Sequence, residues 1–337
     1  MQRLMLVVLL AASCGGKSKP PTTPLPPDNP PATTENETKP PEEKPADKEP
    51  APPPIPKGPL EVKIPASQVT VKLVAPGKGK REALRYSPKT TTKQQVELAM
   101  DFTYEQSVAG QSAKRITPTL VISGAAETKA VDKDGNADFT LTVSGADVRA
   151  VEGAVPADAF KAQLGSLPGL VIAGGIAANG SAKDTTLHIE KPDQYTAGAL
   201  DLLRVTLPGW PVLPKEPVGV GAKWQATTAT KLADEVDVTQ VTDYELVAHK
   251  GATWTIKATT KVSGAEQKLH DAKISKIAGT GTHEITLNDG GLYPAQTKST
   301  LETKFTATDE KAASNPDPQN PASADFSIKV GSAITAK

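Results

Sequence analysis

From Leu60 onward the chain alternates apolar and polar side chains with a period of two. The clearest run sets Val96, Leu98, Met100, Phe102 and Tyr104 against Glu97, Ala99, Asp101, Thr103 and Glu105. Successive side chains of a strand point to opposite faces, so this run is a strand with one face against a core and the other toward water. Phe139, Leu141 and Val143 repeat the pattern, as do Trp254, Ile256 and Ala258 set among threonines and Lys257. The stretch Tyr293 to Thr308 is rich in Thr and Lys and predicts a solvated strand face. Asp134-Gly135, Asn179-Gly180 and Asp289-Gly290-Gly291 punctuate the runs. These pairs suit hairpin turns that need positive φ.

Two segments break the alternation. Pro156 to Leu164 reads as a short helix with proline at its first position. Gln194 to Leu203 places Ala197, Leu200 and Leu203 at helical spacing. The expected fold is therefore α+β and mainly antiparallel β. About a dozen strands exceed what an open twisted sheet usually carries, so the sheet is expected to curl, or to form a half-barrel, with two short helices. This β-rich domain is assigned to residues 60–337. Its concave face is expected to be covered by the helix at Pro156 to Leu167 and by the segment Gly169 to Ala173.

The amino-terminal part is built differently. Met1 to Arg3 is a short positive start, Leu4 to Ala12 is an apolar run, and small residues precede Cys14. This order is that of a secretory signal. The apolar run is far shorter than the roughly 20 residues that span a bilayer. Leu10-Ala11-Ala12-Ser13-Cys14 resembles a bacterial lipobox, with alanine where the usual leucine stands three residues before the cysteine. The resemblance implies removal of residues 1–13 and lipidation of Cys14, which would make a lipid anchor the link to the membrane. Gly15 in place of aspartate after the cysteine implies, by the same resemblance, an outer-membrane destination in the cell envelope. Cys14 is the sole cysteine, so no intramolecular disulfide is available and the folded domain depends on its own core.

Residues 14–59 carry about half of the 31 prolines, among Thr, Glu, Lys and Asp. Such a composition buries too little apolar surface to offset ordering entropy, so a disordered tether is expected. Fully extended as polyproline it would reach on the order of 140 Å at about 3.1 Å per residue.

Pro217-Val218-Gly219-Val220-Gly221-Ala222-Lys223-Trp224, following Pro208-Gly209-Trp210-Pro211-Val212-Leu213-Pro214, resembles a family of bacterial envelope lipoproteins known as a domain of unknown function. The likeness continues through Val238 to Leu246 and Trp254 to Val262, and covers roughly residues 60 to 310. The family brings no activity with it. Its architecture is similar to that of half-barrel lipoprotein carriers, a likeness of fold that says little of function. The glycines before Trp224 are expected to let the strand bend around a tryptophan buried in the β core.

The motifs that carry chemistry elsewhere fail their structural requirements here. Gly219-Val220-Gly221 precedes a strand and lacks the third glycine and helix of a dinucleotide loop. Gly165-Ser166-Leu167-Pro168-Gly169 has its serine at the wrong offset for a nucleophile elbow. His188, His249, His270 and His283 include no two within five residues, and His188-Ile189-Glu190 lacks the cysteine pair of a zinc deaminase. Asp132 to Asp138 is a partial calcium loop without its distal glutamate. No metal, cofactor or catalytic residue is therefore expected, and the chain reads as non-enzymatic. With 38 basic and 38 acidic residues interspersed and 4% aromatics, nucleic acid is not an expected partner. Two readings remain: a membrane-anchored binding module for an apolar small molecule, a lipid or an envelope protein, or a structural surface lipoprotein with a dry core.

Overall fold

The computed structural model describes residues 57–66, 68–207, 209–232, 235–314 and 322–337. Seventeen strands are present among them: β1 (Leu60–Ile64), β2 (Val69–Ala75), β3 (Lys78–Glu82), β4 (Lys93–Val108), β5 (Gln111–Ile116), β6 (Thr119–Val131), β7 (Ala137–Arg149), β8 (Val171–Ile176), β9 (Ala182–Ile189), β10 (Val218–Val220), β11 (Lys223–Leu232), β12 (Val236–Lys250), β13 (Thr253–Ser263), β14 (Gln267–Leu269), β15 (Ala272–Asn288), β16 (Gln296–Asp309) and β17 (Ser323–Ala336). The helices are α1 (Ala157–Lys161), continued as a 3₁₀ turn over Ala162–Leu164, then α2 (Thr196–Thr206) and the single turn α3 (Glu310–Ser314).

Fifteen strands form one antiparallel sheet in the order β1-β9-β8-β7-β6-β4-β17-β16-β15-β13-β12-β11-β2, with β5 paired to β4 and β14 to β15 off this path. The order has a geometric consequence. Thirteen strands lie along this path, and at ~4.8 Å each a flat sheet would hold its edges roughly 60 Å apart. Yet the edges β1 and β2 are consecutive in sequence, and the chain from Ile64 to Val69 reaches at most about 18 Å. The sheet must therefore curl until its edges approach one another. It stays open, because β1 pairs only β9 and β2 pairs only β11. The α+β, antiparallel, curled-sheet expectation holds, with more strands than the dozen read from sequence.

The turn glycines behave as their sequence context requires: Gly135, Gly180 and Gly290 all have positive φ. One expected cover is corrected. Val171–Ile176 is not a lid but strand β8, paired with β7 and β9 inside the sheet. A short apolar run bounded by glycine suits a strand buried on both faces as well as it suits a cover. Tyr293, placed by sequence on a solvated strand, is instead buried just ahead of β16, and the inward Thr297 and Thr303 of that strand are buried too.

The concave face carries two apolar clusters. The larger one joins Leu98, Ile122, Phe139, Leu141, Ile256 and Ile285 of the sheet to Leu164 and Leu167 after α1 and to Leu200 and Leu203 of α2. Leu200 and Leu203 sit three residues apart and so share one helix face. The second cluster is smaller: Val236, Val238, Val262, Ile274, Ile277 and Phe305. Ile274 and Ile277 could not both point inward in strict alternation. A register shift between Ser275 and Ala278, with Lys276 at φ 53°, supplies the extra residue that turns both toward the core.

Candidate functional site

The inside of the curl is filled in part by a strap of irregular chain, Trp210–Pro214, every residue of which is buried. Buried loops are rare because their backbone groups lack partners. Here proline removes two donors, at Pro211 and Pro214. Several of the remaining groups have partners on neighbouring elements. Leu213 N–H donates to the Asn179 carbonyl at 2.7 Å. The Val212 carbonyl accepts from Trp224 Nε1 at 2.8 Å, and that of Pro211 from the Tyr86 hydroxyl at 3.2 Å. The guanidinium of Arg85 donates to the carbonyls of Pro214 and Lys215. Trp210 packs against Phe139 and Tyr293, with ring centroids 5.1 and 4.9 Å away, and donates from Nε1 to the Leu292 carbonyl.

Trp224 is 1% exposed and stacks on Tyr244, directly opposite on β12, at 5.3 Å and 2°. The glycines ahead of it have separate tasks. Gly221, at φ 80°, is the third residue of a turn closed by Ala222 N–H to the Gly219 carbonyl. Gly219 lies so close to Lys78 that a Cβ would come within 2.2 Å of its carbonyl oxygen. The bend is thus a tight turn against β3 rather than a strand flexing around the ring.

Between the two apolar clusters the concave face turns polar. Thr242, Thr260, His283 and Ser299 stand on four neighbouring strands, β12, β13, β15 and β16, and are joined in one string. Thr242 Oγ1 lies 2.8 Å from Thr260 Oγ1. Thr260 Oγ1 lies 2.8 Å from His283 Nε2, and His283 Nδ1 lies 2.9 Å from Ser299 Oγ. Burial pushes the His283 pKa below its ordinary 6.5. Burial also pushes the neighbouring Tyr244 up to about 12, partly offset by hydrogen bonds to Val212 and Thr242.

These groups line a half-open cleft of about 230 Å³. The strap supplies Trp210, Pro211 and Val212 to its lining. The sheet supplies Thr228, Gln240, Thr242, Thr260, His283 and Ser299, with the apolar Ala226 and Ile285 among them. Val69 at the start of β2 and Gly180 and Ala182, before and in β9, also line it. No protein-family model matches the chain, and no curated protein matches it significantly.

A second concavity of about 730 Å³ lies over β11, β12, β13, β15 and β16. Its charged lining follows one cross-strand row of alternating sign, Lys223, Glu245, Lys257, Glu284 and Lys298. Lys223 meets Glu245 at 3.5 Å and Lys257 meets Glu284 at 3.9 Å. With Asp243, which also lines the concavity, three lysines face three carboxylates, which gives a ligand of either sign little to hold.

The other residues weighed in the sequence are dispersed. His188 faces Glu190 at 3.3 Å on β9. His249 stacks on Trp254 at 3.5 Å, and His270 lies 3.5 Å from Glu235. The Asp132 carboxylate accepts from the backbone of Asp134 and Asn136 and from the Asn136 amide, so it closes its own hairpin turn. These bonds hold its pKa below the usual carboxylate value. Cys14, the signal at residues 1–13 and the tether up to residue 56 lie outside the described residues. Among the described residues no three His, Cys, Asp or Glu side chains converge as metal ligands. The cleft residue that sequence reading passed over is His283, whose partners are 23 and 16 residues away along the chain.

Proposed function

We propose that this chain is a lipid-anchored envelope protein, held through Cys14, whose β domain is a binding module for a small amphipathic ligand. The observation that carries the reading is the cleft, lined by an apolar strap and by hydroxyls and an imidazole from the sheet. A purely structural core would gain more from apolar packing at those positions, because each buried polar group must find a partner to offset its desolvation. The cleft, at about 230 Å³, is smaller than the ~300–1,000 Å³ of a typical small-molecule site. It suits one chain or ring of a larger molecule, with the rest left outside it.

The alternative, a structural lipoprotein with a dry core, draws support from the second cluster, which is apolar. The two readings separate on the organic extract of the full chain, expressed with export and purified from its membrane. The binding reading expects an amphiphile near one equivalent in addition to the anchor lipids. That molecule should be lost from Thr228→Phe, where a ring enters the cleft. An extract holding anchor lipids alone, identical for both proteins, contradicts it.

A further inference from the structure

Resting on that reading, we infer that the cleft selects an uncharged amphiphile and holds its polar head, a hydroxyl or a carboxamide, against Thr228 and Gln240. Most of the polar side chains that line the cleft are already engaged within the protein. Thr242 and Thr260 bond one another, and His283 uses both ring nitrogens, on Thr260 and on Ser299. Tyr244 is hydrogen-bonded to Val212 and Thr242. Trp210 donates to the Leu292 carbonyl, and the Thr297 hydroxyl accepts from the Ile334 N–H at 3.1 Å. Thr228 and Gln240 are the exceptions. Among the described residues neither side chain has a hydrogen-bond partner, and both are half-buried in the lining of the cleft.

Register makes one site of these two residues. Thr228 on β11 stands directly opposite Gln240 on β12, which sets their Cβ atoms about 4.5–5.5 Å apart on one face of the sheet. Side chains at that spacing can reach a single polar group together. Their row continues to Val69 on β2 and to Val262 on β13, so an isolated polar pair interrupts an otherwise apolar row. A hydroxyl and an amide add little to packing in such a row. Their hydrogen bonds are completed by whatever enters the cleft, water or ligand.

The head that this pair matches is neutral. Gln240 offers two N–H donors and a carbonyl acceptor, and Thr228 a hydroxyl that does both. A hydroxyl or carboxamide head also donates and accepts, so each side satisfies the other. Among the described residues no Asp, Glu, Lys or Arg lines the cleft. The charged side chains nearest the pair along its two strands, Lys231, Asp237 and Asp243, are each three residues away and so lie on the opposite face, where all are exposed. Lys231 and Asp237 pair with each other there at 2.6 Å. Burial keeps the titratable groups of the cleft neutral near neutral pH, lowering the His283 pKa and pushing Tyr244 up to about 12. A carboxylate or an ammonium would leave water and meet no counter-charge.

The test is an NMR titration, near neutral pH, of the full chain carrying Cys14→Ser, which removes the anchor lipid, with octanol, octanoate and octylamine. Octanol should bind at least about ten-fold more tightly than either ion, since a charge is opposed on leaving water far more than a hydroxyl is. It should also shift the side-chain N–H signals of Gln240. Gln240→Leu, which suits the apolar row and so keeps the fold, should weaken octanol about five-fold, the contribution of one neutral hydrogen bond. Gln240→Glu should reverse the preference, so that octylamine binds more tightly than octanol. Octanoate or octylamine binding the protein with Gln240 intact as tightly as octanol does would overturn the inference and leave the binding module standing. So would octanol binding that leaves the Gln240 signals unmoved and survives Gln240→Leu undiminished, or an unaltered order of the probes in Gln240→Glu. Failure of all three probes to bind would remove the binding module and the inference with it.

Discussion

The two apolar clusters sit on the same concave face and are built on different principles. The larger is closed by a second layer, α2 and the buried strap, so that aromatic side chains end on backbone carbonyls with no solvent between. The smaller is made almost wholly by strands β12 to β17 folded over themselves, with Phe305 stacked on Phe326 at 5.1 Å and no helix contributing. A curled sheet can thus be filled at one end by inserted chain and at the other by its own side chains. The join between the two modes is where polar groups collect and the cleft opens.

The comparison breaks most visibly at Trp224. Trp224→Ala removes a buried ring and leaves the Val212 carbonyl without its donor. The loss should fall near the top of the about 3–5 kcal/mol seen for large aromatic truncations, with the orphaned acceptor adding to the cavity term. Since a domain is stable by roughly 5–15 kcal/mol, urea unfolding should find the variant marginal. Phe305→Ala in the second cluster should cost less, about 3 kcal/mol, because strands without an overlying layer can collapse toward the gap. Equal losses at the two sites would mean that the strap adds nothing to the rigidity of the first cluster.

A smaller effect belongs to the join itself. The folded pKa of His283 lies below its ordinary 6.5 because burial disfavours the imidazolium. In the window between the two values the unfolded chain holds more protons, so stability rises with pH there. Equivalently, stability falls as pH is lowered from 6.5 through the folded value, and His283→Gln should flatten that segment of the curve. The smallest change is expected on the outer face, where Lys257→Ala breaks an exposed pair with Glu284 at 3.9 Å. Such pairs contribute about 0–1 kcal/mol, so its unfolding midpoint should hardly move.

How much of this was legible in the sequence follows from the range of each signal. Strand faces and hairpin turns depend on neighbours two to four residues apart, and β4, β7, β13 and the turns at Gly135, Gly180 and Gly290 were readable for that reason. The burial of Trp224 was readable as well, from a bulky aromatic beside a glycine-shaped turn. The Ile274–Ile277 bulge was not, because a single inserted residue reverses the pattern without a sequence mark. The strap was hidden because the two prolines of Trp210 to Pro214, with Gly209 before them, read as a surface loop. Only the partners supplied by Asn179, Trp224, Tyr86 and Arg85 make its burial affordable. The string through His283 was out of reach, since it depends on the register of four long strands. Misreading Gly169 to Ala173 as a cover had a similar origin: a short apolar run does not reveal which of its faces is buried.

The central claim is that the join between the clusters, and not either cluster, accepts a ligand. Methyl-resolved NMR of the full chain titrated with octanol tests it most directly. The account predicts saturable shifts at Ile285, Val212 and Ala226, which line the cleft, with Ile274 and Val262 of the second cluster unmoved. Shifts confined to the second cluster, or none at saturating probe, would contradict it.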